Sequence, residues 1–259
     1  MRIATWNVNS LRVRHEQVLD WLETSAPDVL ALQETKLTDD QFPIVDVAEA
    51  GYCAAYSGQR AYNGVALLSR RPPTEVVTDI PQFDDPQRRI LAATIEGVRV
   101  VNLYVVNGSE VGSDKYEYKL HWLGRVTEYL ATELRRHRYL VVLGDFNIAP
   151  TDLDVYDPEL CRERILCSTP EREALRALLN VGLEDVFRRL HPEEPGFTWW
   201  DYRSAAFRRN LGLRIDLILA SHALAQRATA CEVDPAPRRL PRPSDHAPVW
   251  ADFDLDTSG

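Results

Sequence analysis

None of the four cysteines (Cys53, Cys161, Cys167, Cys231) forms a CxxC pair, so neither a zinc cage nor a disulfide framework is indicated. No apolar run reaches the roughly 18 residues that a membrane span needs. There is no Gly/Ser-rich linker, no repeat of fixed period and no low-complexity stretch. The 259 residues therefore read as one domain, 1–259, long enough to bury a real core. An excess of positive charge is also missing. Lys and Arg number 30 against 39 Asp and Glu, for a net charge of −9, so bulk attraction to nucleic acid is excluded and only a local basic face remains open. A site that gathers carboxylates around a metal would itself pull the balance negative. With strand-like residues directly at the start, the expectation is a cytoplasmic protein, not bound to a membrane and monomeric.

What is there begins with short apolar strands. Arg2–Trp6, Val29–Gln33, Val65–Ser69, Ile90–Ile95, Val98–Val106, Tyr139–Leu143, Ile215–Ala220 and Val249–Phe253 have strand patterns. Between Leu11 and Thr24, Val13, Val18, Trp21 and Leu22 recur at helical spacing. Helices are also predicted over Tyr116–Arg136 and Thr169–Leu179, the second with a Ser/Thr-Pro-Glu start signal. Many apolar strands with few helices indicate two sheets packed face to face with helices outside.

Polar residues recur at the strand ends. Tyr139–Leu143 runs into Gly144-Asp145-Phe146-Asn147, which is either an Asx-type turn or a pair of ligands at a strand mouth. Asn7 ends the first strand and Glu34 follows the second; Asp216 lies in a later one, and Asp245 and His246 precede the last. If these ends share one edge, the acids repel one another and need a cation or a shared proton. Oxygen-rich donors favour Mg²⁺ or Mn²⁺ over zinc.

In order along the chain, TWNVNSLR (5–12), LALQETK (30–36), YNGVALLSR (62–70), PQRRI (86–90), LGDFNIAPTDLD (143–154), FTWWDYRS (197–204), NLGLRIDLILAS (210–221) and PSDHAPVWADF (243–253) carry a family resemblance over essentially its whole length. The sequence resembles the exonuclease III family of abasic-site endonucleases, within the DNase I-like metal-dependent phosphoesterases. That resemblance implies a four-layer α/β/β/α sandwich with two mainly antiparallel sheets. It also implies a Mg²⁺- or Mn²⁺-dependent DNA-repair phosphodiesterase acting on double-stranded DNA. Such an enzyme cuts 5′ to abasic sites or removes 3′-blocking groups and 3′ nucleotides, leaving a 3′ hydroxyl.

Carried over by matched position, the resemblance makes Asn7, Glu34, Asp145, Asn147, Asp245 and His246 the metal-site residues, with Glu34 the principal ligand. Tyr104, Asp145, Asn147, Asp216 and His246 become the catalytic set. In it Asp145 activates or orients water, Asn147 steadies the phosphoryl oxygens and Asp216 orients His246. DNA contacts are expected from Arg88, Arg89, Asn107, Lys115, Lys119 and Arg203. Trp199, Leu213 and Ile215 would wall an apolar slot for an extrahelical sugar, with core packing as the alternative for Ile215. A non-catalytic DNA-binding relative would lack the acids, and all are present. One departure stands out: Val106 occupies a position where many family members have proline. This leaves open a specialised 3′-end phosphodiesterase or phosphatase with weak abasic-site incision.

Overall fold

The computed structural model describes residues 1–255; the last four residues of the expected domain, 256–259, lie outside them. The chain begins β1 (Arg2–Asn7), α1 (Leu11–Ser25), β2 (Val29–Gln33), α2 (Ile44–Glu49), β3 (Cys53–Ser57), β4 (Val65–Ser69). Then come β5 (Thr74–Val77), β6 (Ile90–Ile95), β7 (Val98–Tyr104), α3 (Asp114–Arg136) and β8 (Leu140–Asp145). After α4 (Pro158–Cys161) and α5 (Thr169–Leu179) follow β9 (Leu183–Asp185), β10 (Asp216–Ser221), β11 (Ala228–Val233) and β12 (Val249–Phe253), with short helical turns between them.

Two six-stranded sheets result, in the orders β11-β12-β1-β2-β4-β3 and β5-β6-β7-β8-β10-β9. Each has one parallel pair at its centre, β1 with β2 and β7 with β8, and the remaining pairs are antiparallel. Parallel neighbours need a crossover, and α1 and α3 supply the two crossovers. Alternate residues of the central strands, among them Ile3, Ala31, Leu67, Val100, Val141 and Ile218, fill the space between the sheets. The other faces are covered by Trp21 and Leu22 of α1 on one side, and by Trp122, Val126 and Leu175 of α3 and α5 on the other. These layers form the four-layer α/β/β/α sandwich. Each fully buried aliphatic side chain contributes about 1.5–3 kcal/mol.

Local sequence sets the helix ends. The Ser113 hydroxyl accepts from the Tyr116 amide to start α3, and Arg135 and Arg136 oppose the helix dipole at its last turn. Ser168 and Glu171 form a reciprocal capping box at α5, with Pro170 in the first turn.

The end of β8 differs from its sequence reading. Gly144 does not end the strand; it lies inside β8, beside Leu103 of β7. A Cβ there would sit 1.9 Å from the Leu103 carbonyl oxygen, so glycine is required by close approach and not by a turn. The turn falls at Asn147, whose φ is +49°.

The entry to β10 is fixed from beneath. Arg214, 1% exposed, donates to Asp154 Oδ1 at 2.6 Å and to Asp185 Oδ2 at 2.8 Å. Burial would raise the Asp154 pKa, but Arg214 outweighs it and holds the carboxyl below its usual range. A depressed carboxyl pKa stabilises the fold above the ordinary carboxylate range and loses that stabilisation as pH falls through the folded value. Arg214→Met leaves Asp185 without its guanidinium and Asp154 with Arg188 alone, so it is expected to cost about 3–5 kcal/mol in urea unfolding. A loss under 1 kcal/mol would refute this account of the network.

Candidate active site

The strand registers bring the polar strand ends together. Asp145 of β8 pairs with Tyr104 of β7 on one side and with Asp216 of β10 on the other. Across the sandwich, Asn7 closes β1 beside Gln33, and Glu34 follows directly. Several of these loops take left-handed backbone at non-glycine residues: Asn9, Glu34, Lys36 and Asn147 have φ between 43° and 55°. Such conformations cost on the order of 1–3 kcal/mol each and persist where the surroundings over-determine them.

Asp145, 1% exposed, is the hub. Its Oδ1 accepts from the Asn147 amide at 2.9 Å, and its Oδ2 accepts from Asn7 Nδ2 at 2.9 Å and from Asn147 Nδ2 at 3.2 Å. Asn7 Nδ2 also donates to Glu34 Oε1 at 2.9 Å, so one amide bridges two acids across the two sheets. His246 Nδ1 donates to Asp216 Oδ2 at 2.9 Å, and its Nε2 stands 3.8 Å from Asp145 Oδ2. Thr198 Oγ1 donates to Asp216 Oδ2 at 2.6 Å while accepting from the amides of Ile215 and Asp216.

Electrostatics follow from this packing. Burial pushes the Asp145 carboxyl up to about 7, with His246 opposing the rise. Burial would lower the His246 pKa, but Asp216 and Asp145 raise it to about 10, so the imidazole carries charge at neutral pH. Burial, Glu34 and Asp145 hold the Tyr104 phenol well above its ordinary pKa. The Arg89 guanidinium lies 4.6 Å from the Tyr104 ring centroid and donates to the Tyr104 carbonyl.

The donors suit a hard divalent cation. Four carboxylates (Glu34, Asp145, Asp216, Asp245) gather here, with the Lys36 ammonium 2.9 Å from Glu34 Oε2 and the charged His246 against Asp216 and Asp145. The excess acid on oxygen ligands is the condition that Mg²⁺ or Mn²⁺ relieves. Asp145, Asp216 and His246 offer ligand atoms within 4.8 Å of one another. Asp245 is set apart, its two oxygens accepting from Asn9 Nδ2 and Trp199 Nε1.

Some expected roles change. Lys119 does not reach a DNA-facing surface. It is completely buried, because its ammonium has three acceptors inside: Glu171, the Asn107 carbonyl and the Asn147 carbonyl. Asn147 has its Nδ2 donating to Val105 O and Asp145, so it also clamps the acid. Leu213 and Ile215 do not wall an open slot. They are 6% and 1% exposed and pack against Val155, Leu166 and Cys167, with Trp199 half-buried at the margin. Leu166 belongs to the same buried cluster, with its φ at +71°.

Of the other expected DNA contacts, Arg88 pairs with Asp79, and Lys115 and Arg203 are exposed. Asn107 is exposed and donates to Asn147 Oδ1 at 3.0 Å. A groove of about 400 Å³ beside Tyr104 is lined by Tyr62, Arg89, Asn107, Lys115 and Tyr118. The sequence reading missed Thr198, Asn9 and Lys36. All three lie inside the motifs that carry the family resemblance, Thr198 directly before the tryptophan pair, so adjacency was the available signal. Val106 is 5% exposed, and its loop is pinned without proline by bonds from Val105, Asn107 and Lys119.

A family model described as the Endonuclease/Exonuclease/phosphatase family matches residues 4–246, and the chain belongs to that family. Among particular relatives, exodeoxyribonuclease III of Haemophilus influenzae is 37% identical, with 98% of this chain and 100% of that protein covered. The 3′ phosphatase NExo from Neisseria, solved with a product DNA hairpin, is 51% identical with a TM-score of 0.97, covering 98% of this chain and 100% of that one. An AP endonuclease from Archaeoglobus fulgidus is 39% identical with a TM-score of 0.95, over 98% and 100% of the two chains.

Proposed function

We propose that this chain is a DNA-repair phosphodiesterase, a single domain over 1–259. It acts on duplex DNA chiefly at blocked or damaged 3′ ends, leaving a 3′ hydroxyl, and incises 5′ to abasic sites more weakly. The hydrolytic reading is carried by the Asp145–His246–Asp216 array facing Glu34 and Asn7. The 3′-end preference is carried by Leu166 packed against Leu213 and Ile215, where an extrahelical sugar would have to enter. A monomer in the cytoplasm fits this reading; no helix among the described residues is long and apolar enough to cross a membrane.

Glu34 and Asp145, with the side-chain oxygen of Asn7 nearby, would hold Mg²⁺ or Mn²⁺. When bound, that ion supplies charge neutralisation at the phosphoryl oxygens and for the departing oxygen. Asp145 accepts the proton of a water aimed at phosphorus. His246, kept charged by Asp216, donates a hydrogen bond to a phosphoryl oxygen as negative charge grows there. The Tyr104 phenol stays protonated and serves as a donor. Lys115 and Arg203 meet the DNA backbone from the surface.

The test is a product-resolved assay with Mg²⁺ on an abasic duplex, a 3′-phosphate nick and a recessed 3′ end. Release at the 3′ ends should exceed abasic incision. Leu166→Ala should raise abasic incision relative to 3′-end release by about tenfold, the scale of a methylene or two in an apolar pocket. Abasic incision that already dominates in the wild type would overturn the preference, and no cleavage of any substrate would overturn the function.

A further inference from the structure

Lys119 and Glu171 form an ion pair of 2.5 Å with both side chains fully buried. The pair touches no surface, and charge buried this deeply is expensive unless every donor and acceptor is used. Here they are used on loops of the site. The Lys119 ammonium donates to the Asn147 carbonyl at 2.7 Å and the Asn107 carbonyl at 3.1 Å. Glu171 accepts from the Leu166 amide at 3.2 Å through Oε1, and from the Ser168 amide and hydroxyl through Oε2. One pair thus joins α3 and α5 to three segments: the loop after Tyr104, the turn after Asp145 and the segment that carries Leu166.

Two of the residues so held have left-handed backbone without being glycine: Asn147 at φ +49° and Leu166 at φ +71°. At Asn147 the peptide carbonyl bonded to Lys119 fixes the turn from which its side chain and amide clamp Asp145. At Leu166 the amide faces Glu171 while the carbonyl accepts from Ala149. Gly108 follows the same loop, and a Cβ there would meet Ile165 at 3.0 Å and Lys119 at 3.3 Å, so the segments also interlock sterically.

We propose that Lys119 and Glu171 are positioning residues: their ion pair holds Asp145 through Asn147 in reacting geometry and, by the same carboxylate, holds Leu166 in the cluster with Leu213 and Ile215. This rests on the reading of the site as a DNA 3′-end phosphodiesterase. The pair makes rate and substrate choice depend on one buried contact.

The double variant Lys119→Met/Glu171→Leu separates positioning from stability, because replacing a whole buried pair by apolar groups is often neutral for folding. Expected are a melting temperature near wild type, KM on a 3′-phosphate duplex within about threefold, and kcat lower by about tenfold to a hundredfold, the scale of an ångström misplacement. Binding of the same duplex in EDTA should be unchanged, and the ratio of abasic incision to 3′-end release should rise. If the double variant does not melt cooperatively, Glu171→Gln decides by the same split, since it keeps the side-chain shape and an acceptor for Ser168. Wild-type kcat in the folded variant, or a loss confined to KM, overturns the positioning role. A wild type that cleaves nothing fails the underlying reading instead.

Discussion

Asp145→Asn will lower kcat on a 3′-phosphate duplex by about 10²–10⁴-fold, the range for losing a positioned general base. The structure gives a specific reason for a loss at the upper end. Every group hydrogen-bonded to the carboxylate is a donor: the Asn147 amide on Oδ1, and Asn7 Nδ2 and Asn147 Nδ2 on Oδ2, with His246 Nε2 3.8 Å from Oδ2. An asparagine must turn its NH₂ toward one of these donors, so the substitution removes the base and sets two donors against each other. It also removes one of the two acids that Asn7 ties together. DNA affinity measured in EDTA should survive, because Lys115 and Arg203, the residues proposed to meet the phosphates, lie elsewhere. Single-turnover kinetics on the nicked duplex give the rate, and fluorescence anisotropy gives the affinity. Cleavage within about tenfold of wild type would remove Asp145 from the role of base.

How far the sequence disclosed this arrangement depended on burial. β1, β2, β4, β6, β7, β8, β10 and β12 were legible because central strands are apolar on both faces. The four strands that were not recognised, β3, β5, β9 and β11, are the four sheet edges. An edge strand such as Thr74–Val77 is exposed at three of its four residues and has no apolar periodicity to show. Among site residues, Asn7, Glu34, Asp145, Asp216 and His246 share a recognisable position at strand ends, and the registers bring them together. Lys119 and Leu213 were misplaced for the opposite reason. A lysine in a helix next to exposed Lys115 looks solvated until its acceptors, which come from loops distant in sequence, are known. An apolar residue beside a tryptophan looks like a pocket wall until the segment that fills the pocket is seen. Single-residue chemistry was readable at the site, whereas what lies behind and over the site depended on tertiary packing.

Asp216→Asn will lower kcat by about 10²–10³-fold with little change in KM, and combining it with His246→Gln will add almost nothing to the worse single change. Thr198 accounts for both expectations. Its oxygen accepts from the amides of Ile215 and Asp216, so its hydroxyl hydrogen is committed to Asp216 Oδ2. In the asparagine variant the amide oxygen must stay with Thr198 in the Oδ2 position, 2.9 Å from His246 Nδ1, so it still accepts from the ring while the NH₂ takes the Oδ1 position. Without the Asp216 charge the imidazolium loses the largest of the effects that raise its pKa, and the ring keeps its place as its charge is weakened. The variant thus tests charge separately from position, because the ring is still held while the donor facing the phosphoryl oxygen weakens. A double-mutant cycle on 3′-phosphate release supplies the measurement, with melting curves confirming that all three proteins fold. Losses that multiply in the double variant would mean that Asp216 acts on something other than His246, and the Thr198–Asp216–His246 line would then have to be read as structural support for β10.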